Sequence, residues 1–248
     1  MILLRAFFVA VGLVLLWQAV VWIFAPPPYL LPTPLAVATV LVERPGLWRV
    51  DAVTTLVETV IGLATGTALG IALALFMSFL PATRRFVMPV MVVSQAFPVF
   101  AIAPLLVLWL GFGVTSKIVM ATVAIFFPVG SAFHDGLART DAGLLDLGRL
   151  YGANRTEELF VLRVPAALPS LVTGVRVAAV YAPIAALFGE WVGSSSGLGY
   201  AMLHANGRGE IDVVFAALFL LAAMAVLTRA AVDLLTRNLT PWLPETSR

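Results

Sequence analysis

The sequence predicts an all-α polytopic membrane protein of about six transmembrane helices. Three observations carry that prediction. Of 248 residues, 61% are hydrophobic and 11% charged, with a mean hydropathy of +1.03, whereas a soluble domain averages about 45–50% apolar and about 25% charged. The apolar residues gather into six stretches, each near the roughly 20 residues a helix needs to cross the hydrocarbon core. The basic residues sit on alternate connecting segments with a strong bias to one side, as expected of a chain threaded repeatedly through a bilayer. Cysteine is absent, which removes disulfides, thiolate metal ligands and thiol nucleophiles. No basic run or low-complexity tail points to nucleic acid.

The first stretch, Ala6–Phe24, follows a short N-terminal segment carrying Arg5. Its apolar run exceeds the roughly 7–15 residues of a signal core, and Pro26-Pro27-Pro28 lacks a small-residue cleavage pattern, so it reads as a retained span. Pro26 to Pro34 favours a stiff, extended backbone; Pro34 then suits the first turn of a short helix to about Val42, capped by Thr33. The remaining stretches are Val53–Leu80, Val87–Leu110, Ile118–Phe133, Leu168–Phe188 and Val213–Leu235. With the N-terminus inside, Arg44, Arg49, Lys117 and Arg208 fall outside and the other 11 of the 15 basic residues inside. Both termini and the segment His134–Pro165 are therefore expected on the cytoplasmic side. On the external side, Gly193 to Gly199 reads as a flexible turn, and Tyr200–Ala205 as a mildly apolar stretch at the membrane surface.

Within the spans, Gly62, Gly66 and Gly70 place one small residue on each turn of the second helix. In lipid, helices associate by close backbone approach, so this stripe packs either inside the subunit or at a dimer seam. Prolines 89, 98 and 104 interrupt the third stretch. Each frees a backbone carbonyl, which neighbouring helices or a water-filled path must satisfy. Broken helices often line transport routes, which makes Ser94, Gln95 and Pro98 pathway candidates, with simple kinking as the alternative. Tyr181 and Glu190 on the fifth stretch join them. Glu190, at the external end, gates the path, pairs with Arg208 or sits in headgroup water; Glu58 and Asp233 lie near helix ends, where interfacial or paired roles are expected. His134 and His204 lie on opposite sides, which excludes a metal site built from both.

The segment from Asp141 to Phe160 is too polar to span, yet Leu144, Leu145, Leu147 and Leu150 recur near helical spacing. That pattern predicts an amphipathic helix with an apolar face for a partner or for the bundle. Gly152 suits a left-handed cap. Asn154 with Glu157 three residues on forms a capping box that opens a second short helix. Pro165 and Pro169 mark the return to the membrane.

This elbow resembles the coupling loop of ABC-importer permeases, whose pattern is Glu-Ala-Ala, three residues, Gly, nine residues, Ile, one residue, Leu-Pro. Asp146-Leu147-Gly148 stands at the triplet, Gly152 at the glycine, Leu162 at the isoleucine and Val164-Pro165 at the terminal pair. Asp keeps the charge of Glu, while Leu147 and Gly148 replace the two alanines and alter the fine packing. Leu31-Pro32-Thr33-Pro34, Ala103-Pro104-Leu105, Leu108-Trp109-Leu110-Gly111, Gly189-Glu190-Trp191 and Ser196 to Tyr200 are similar to the nitrate/sulfonate/taurine branch, so the likeness runs from about Leu30 to Trp242. Within that branch, Gly197 to Asn206 is similar to permeases for thiamine pyrimidine precursors.

The resemblance implies a type I ABC importer permease fold: a single permease domain over 1–248, with a core at about 52–236 and a coupling loop at about 134–166, in a bacterial cytoplasmic (inner) membrane. It implies two permease copies, expected to be identical, around one pathway. Two ATPase subunits would grip the elbows through Asp146, Gly148, Tyr151, Gly152, Ala153, Arg155, Leu162 and Pro165, and an extracytoplasmic solute-binding protein would deliver the solute. That solute is expected to be a hydroxymethylpyrimidine-type thiamine precursor, otherwise a sulfonate, taurine or nitrate-like anion. The chain lacks a Gly-x-x-x-x-Gly-Lys-[Ser/Thr] loop, so ATP and Mg belong to the partner ATPase; no cofactor and no catalysis are expected of this chain. An ion-coupled secondary transporter, the competing reading, would need intramembrane acids and inverted repeats. A membrane enzyme would need clustered His, Asp or Glu around a cavity. Neither pattern stands out.

Overall fold

Apolar runs rich in helix formers fold here as a succession of helices, seen in a computed structural model that describes residues 2–96 and 99–242. The order is α1 (Ile2–Phe24), α2 (Pro34–Glu43), α3 (Ala52–Phe79), α4 (Pro81–Ala96), α5 (Val99–Leu110), α6 (Val114–Ala138), α7 (Ala142–Leu150), α8 (Arg155–Glu157), α9 (Val164–Gly193), α10 (Leu198–Arg208) and α11 (Ile211–Thr236). No strand occurs among the described residues. Thr33 caps α2 as its position predicts, its hydroxyl accepting the Ala36 N–H at 3.1 Å.

Four continuous helical runs are long and apolar enough to cross a membrane: Leu47–Phe79, Val114–Ala138, Arg155–Gly193 and Ile211–Leu239. The third predicted stretch, Val87–Leu110, is not one straight span. It is divided between α4 and α5, bent by 104° at a break where Phe97 and Pro98 lie outside the described residues. A proline at 98 lacks the N–H a continuous helix would use and biases its predecessor away from helical backbone. The first stretch is the 23-residue α1, about 35 Å long at helical rise and thus comparable to the ~30 Å hydrocarbon core.

The fifth stretch also differs from expectation. Instead of a short helix and a separate span, α8 runs through a π-helical turn (Glu158–Arg163) directly into α9. Pro165 explains the wider turn. Its ring removes an i→i−4 hydrogen bond and crowds the carbonyl one turn back, and a π turn relieves both without ending the helix.

Helices α3, α6 and α9 form the centre, packed through small side chains: Ala121, Ile125, Val129, Ala178, Ala182 and Ala185 are buried together. The glycine stripe of α3 faces α6 within the same chain. A Cβ on Gly62 would collide with Ala121, one on Gly66 would lie 2.7 Å from Ile125, and one on Gly70 would lie 2.7 Å from the Phe126 carbonyl. Close packing inside the subunit thus accounts for all three glycines. On one flank, α2, α10 and α11 share a second apolar cluster containing Val37, Leu198, Met202 and Ala216. At the opposite end, Asp233 of α11 pairs with Arg229 at 2.9 Å and with Arg176 of α9 at 2.6 Å.

Candidate functional site

The elbow begins where Asp141 caps α7, its carboxylate accepting the Leu144 N–H at 3.0 Å. α7 ends in a Schellman motif. The Ala153 N–H reaches the Gly148 carbonyl and the Gly152 N–H the Arg149 carbonyl, both at 3.0 Å, with Gly152 at φ 79°. The Asn154–Glu157 capping box is present in full, the Asn154 side chain accepting the Glu157 N–H at 3.0 Å and Glu157 accepting the Asn154 N–H at 2.8 Å. Gly148 lets α7 close on the π turn, since a Cβ there would lie 2.6 Å from Leu162 Cδ1. A relay of charges spans the hinge: Asp146–Arg149 at 3.1 Å, Arg149–Glu158 at 3.4 Å and Glu158–Arg163 at 2.5 Å.

The elbow has two unlike sides. One is a cleft of about 480 Å³ lined by Leu144, Leu147, Gly148, Tyr151, Gly152, Ala153, Glu157, Val161 and Leu162. Beside it Leu150 and Tyr151 stand 84% and 86% exposed. The other side is anchored: Leu159 is buried with Ala74 of α3, Phe133 and Leu137 of α6 and Ala167 of α9. The elbow is therefore joined to three central helices through one close-packed contact. Of the coupling residues predicted, Gly148, Tyr151, Gly152, Ala153 and Leu162 line the cleft, Asp146 lies in the charge relay, and Arg155 opens α8 on the opposite side. Pro165 sits in the first turn of α9.

Among the spans, Gln95 and Tyr181 share a cavity of about 370 Å³ with Phe100, Met120, Ala124, Phe127, Pro128, Ile184, Ala185 and Phe188. Three phenylalanine rings, one phenol and one amide line it, with no charged side chain. The Gln95 amide donates to the Val123 carbonyl at 3.3 Å, and its oxygen retains the capacity to accept from another donor. Ser94 does not join the lining; its hydroxyl bonds back to the Met91 carbonyl at 2.6 Å. Pro98 lies outside the described residues.

Glu190 is placed elsewhere. It is 1% exposed and accepts from the Thr55 hydroxyl at 2.6 Å and the Gly199 N–H at 2.5 Å, and it has no bond to Arg208. It belongs to a remote cap for α10, whose first N–H groups have no partners of their own. Gly197 N–H goes to Asp51 at 2.9 Å, Leu198 N–H to Thr55 at 2.9 Å and Gly199 N–H to Glu190. Side chains could not occupy 197 or 199: a Cβ at 197 would fall on the Glu190 carboxylate, and one at 199 would lie 2.5 Å from the Leu187 carbonyl. The glycine-serine segment expected to be a flexible turn is instead tied down, Ser194 bonding both to Ser196 and to Lys117.

Sequence reasoning missed the partner of this cap. Lys117, read as an external loop charge, is 4% exposed and bonds Glu58 at 2.6 Å and Ser194 at 2.9 Å. A usable signal existed: charge bias places Glu58, Lys117 and Glu190 at the same ends of three spans, where buried ions must find one another.

Comparison with known proteins gives these features a context. A family model described as "Binding-protein-dependent transport system inner membrane component" matches residues 66–243. A protein of Haemophilus influenzae described as a probable ABC transporter permease protein is 42% identical over 231 residues, covering 93% of this chain and 94% of the relative. The formylaminopyrimidine transport permease protein ThiX of Halalkalibacterium halodurans is 37% identical over 216 residues, covering 87% and 86%. Among solved structures, an inward-facing form of the MetNI methionine ABC transporter superposes with a TM-score of 0.69 at 21% identity, over 79% of this chain and 99% of that one.

Proposed function

This chain belongs to the family of binding-protein-dependent transport inner membrane components and is the permease of an ABC importer, and from that premise we propose how it is powered and what it carries. The elbow is the cytoplasmic grip of a separate ATPase. The observation that supports this is the pairing of an exposed apolar cleft at Gly148–Leu162 with a buried anchor at Leu159: a partner takes the first, and the second moves the spans. ATP and Mg act on that partner. The chain acts as one permease domain, its core at 52–236. It works as a homodimer with both termini and the elbow in the cytoplasm, the side favoured by 11 of 15 basic residues. An extracytoplasmic binding protein presents solute to the opposite face.

The solute is a neutral, flat heteroaromatic molecule of the hydroxymethylpyrimidine type. An uncharged cavity walled by Phe100, Phe127, Tyr181 and Phe188 favours ring stacking, and the Gln95 amide suits hydrogen bonding to a pyrimidine edge. A sulfonate or nitrate would enter that cavity with no cation to meet it. The relative that transports formylaminopyrimidine agrees with this choice.

The test is reconstitution with a cognate ATPase and solute-binding protein. Asp146→Arg and Gly152→Trp are expected to abolish co-purification with the ATPase and solute-stimulated hydrolysis. Gln95→Leu is expected to lower pyrimidine uptake while assembly and basal hydrolysis persist. Unchanged assembly in both elbow variants would overturn the coupling assignment; uptake of taurine in preference to pyrimidine would overturn the solute.

A further inference from the structure

The anchored side of the elbow carries a second, basic cavity, distinct from the cleft proposed for the ATPase. Arg155, Glu158, Leu159 and Arg163 recur at helical spacing on the face opposite Glu157, Val161 and Leu162 of the partner cleft. With Arg149, Ser78, Phe79 and Pro81 they enclose about 190 Å³ where α3 ends and α4 begins. Three guanidiniums line it against one carboxylate. Glu158 answers Arg163 and, at 3.4 Å, Arg149, which also meets Asp146. Arg155 meets no carboxylate among the described residues.

Pro81 is shared with a larger groove of about 650 Å³ along α4, walled by Met88, Pro89, Val92 and Val93. Its mouth carries Arg84 and Arg85, neither with a carboxylate partner among the described residues; Arg85 lies over the Phe86 ring instead. The exposed faces nearby are apolar: Phe79, Leu80, Phe86 and Val90 are all uncovered. A basic pocket continued by an apolar trough fits a molecule with an anionic head and a hydrocarbon tail.

We propose that these joined cavities hold one anionic phospholipid of the surrounding bilayer. Its phosphate lies among Arg149, Arg155 and Arg163, and an acyl chain lies along Met88, Val92 and Val93. The lipid bridges the α3–α4 turn and the elbow, so an anionic bilayer steadies the lever on its membrane side while the opposite face is left for the ATPase. The proposal needs only a membrane-embedded chain and is independent of the solute.

Native mass spectrometry of the full-length chain, titrated with phosphatidylglycerol or phosphatidylcholine of equal chain length, tests it. The expected result is retention of phosphatidylglycerol over phosphatidylcholine. Arg155→Gln lowers that affinity about fivefold, the effect of roughly one basic residue beside an anionic surface. Arg84→Gln with Arg85→Gln lowers it further, and Arg155→Lys retains most of it. Both sites are exposed, so these variants fold. Equal retention of the two lipids would overturn the proposal. So would unchanged phosphatidylglycerol binding in Arg155→Gln, including the case where that variant loses only the ATPase. Displacement of the lipid by inorganic phosphate alone would mark a simple anion site and also refute it.

Discussion

Lys117→Met should be among the most damaging single changes in this protein, and Glu58→Leu should largely repair it. The ammonium and carboxylate lie 2.6 Å apart, with their side chains 5% and 1% exposed. Among the described residues no donor within hydrogen-bond reach meets Glu58 Oε2, and Oε1 accepts from Lys117. Methionine keeps the length of lysine and removes its charge, which leaves a carboxylate buried without a cation. Breaking such a pair costs about 3–5 kcal/mol, whereas replacing both members with apolar residues is about neutral or better. In the double variant the remaining loss is the Lys117–Ser194 bond at 2.9 Å, about 1 kcal/mol. At roughly 2–4 °C per kcal/mol for a chain of this size, Lys117→Met should lower the melting temperature in detergent by roughly 6–20 °C. Glu58→Leu/Lys117→Met should melt within roughly 2–4 °C of the unmodified protein. Size-exclusion survival after heating, read for both single variants and the double, closes the cycle. If the double melts as low as the worse single variant, or Lys117→Met melts with the unmodified chain, the pair is not the energetic unit described.

Two further outcomes follow from other contacts. Gly70→Ala should destabilise by about 1–3 kcal/mol, because its Cβ would meet backbone, Phe126 O at 2.7 Å and Gly130 N at 2.9 Å, which cannot rotate away. Gly46→Ala, with nothing within 4 Å of its Cβ, is the control, and melting curves distinguish them. Beside the start of α11, Arg44 bonds Glu210 at 2.9 and 3.1 Å and holds that carboxyl below the usual range. A depressed carboxyl stabilises fully above its unfolded pKa of about 4.3 and loses that contribution as pH falls through the lower folded value. With intrinsic exchange rates divided out, amide protection in the turn before α11 should therefore fall as pH drops below about 4, relative to an Arg44→Gln variant that lacks the dependence.

Features governed by neighbours within one helical turn are legible in the amino-acid sequence. Thr33 before Pro34, Asn154 with Glu157, and Gly152 after an amphipathic run each act over three or four residues, and each cap forms as its spacing implies. The stripe Gly62, Gly66, Gly70 announces a close helix contact but not its partner, because the stripe reports the space one helix leaves and not what fills it. The path from Glu158 to Val164 is harder to read. A proline near a predicted helix start reads as a boundary, yet a π turn carries the helix through it.

Composition and charge placement alone determined that this is a multi-pass membrane protein with a polar elbow, because lipid imposes its solvent rule on every residue independently of fold. The spacing of Asp146, Gly152 and Pro165 carried the likeness to importer permeases, since a coupling loop is a continuous segment. Only the tertiary structure decided that Glu190 caps α10 while Gln95 and Tyr181 share a cavity, that Lys117 is buried against Glu58, and that the elbow has a cleft on one side and a basic cavity on the other. Each joins residues from separate helices. The physical reason is common to all of them: a buried charge or orphan N–H must be satisfied, but the chain can bring its partner from any span.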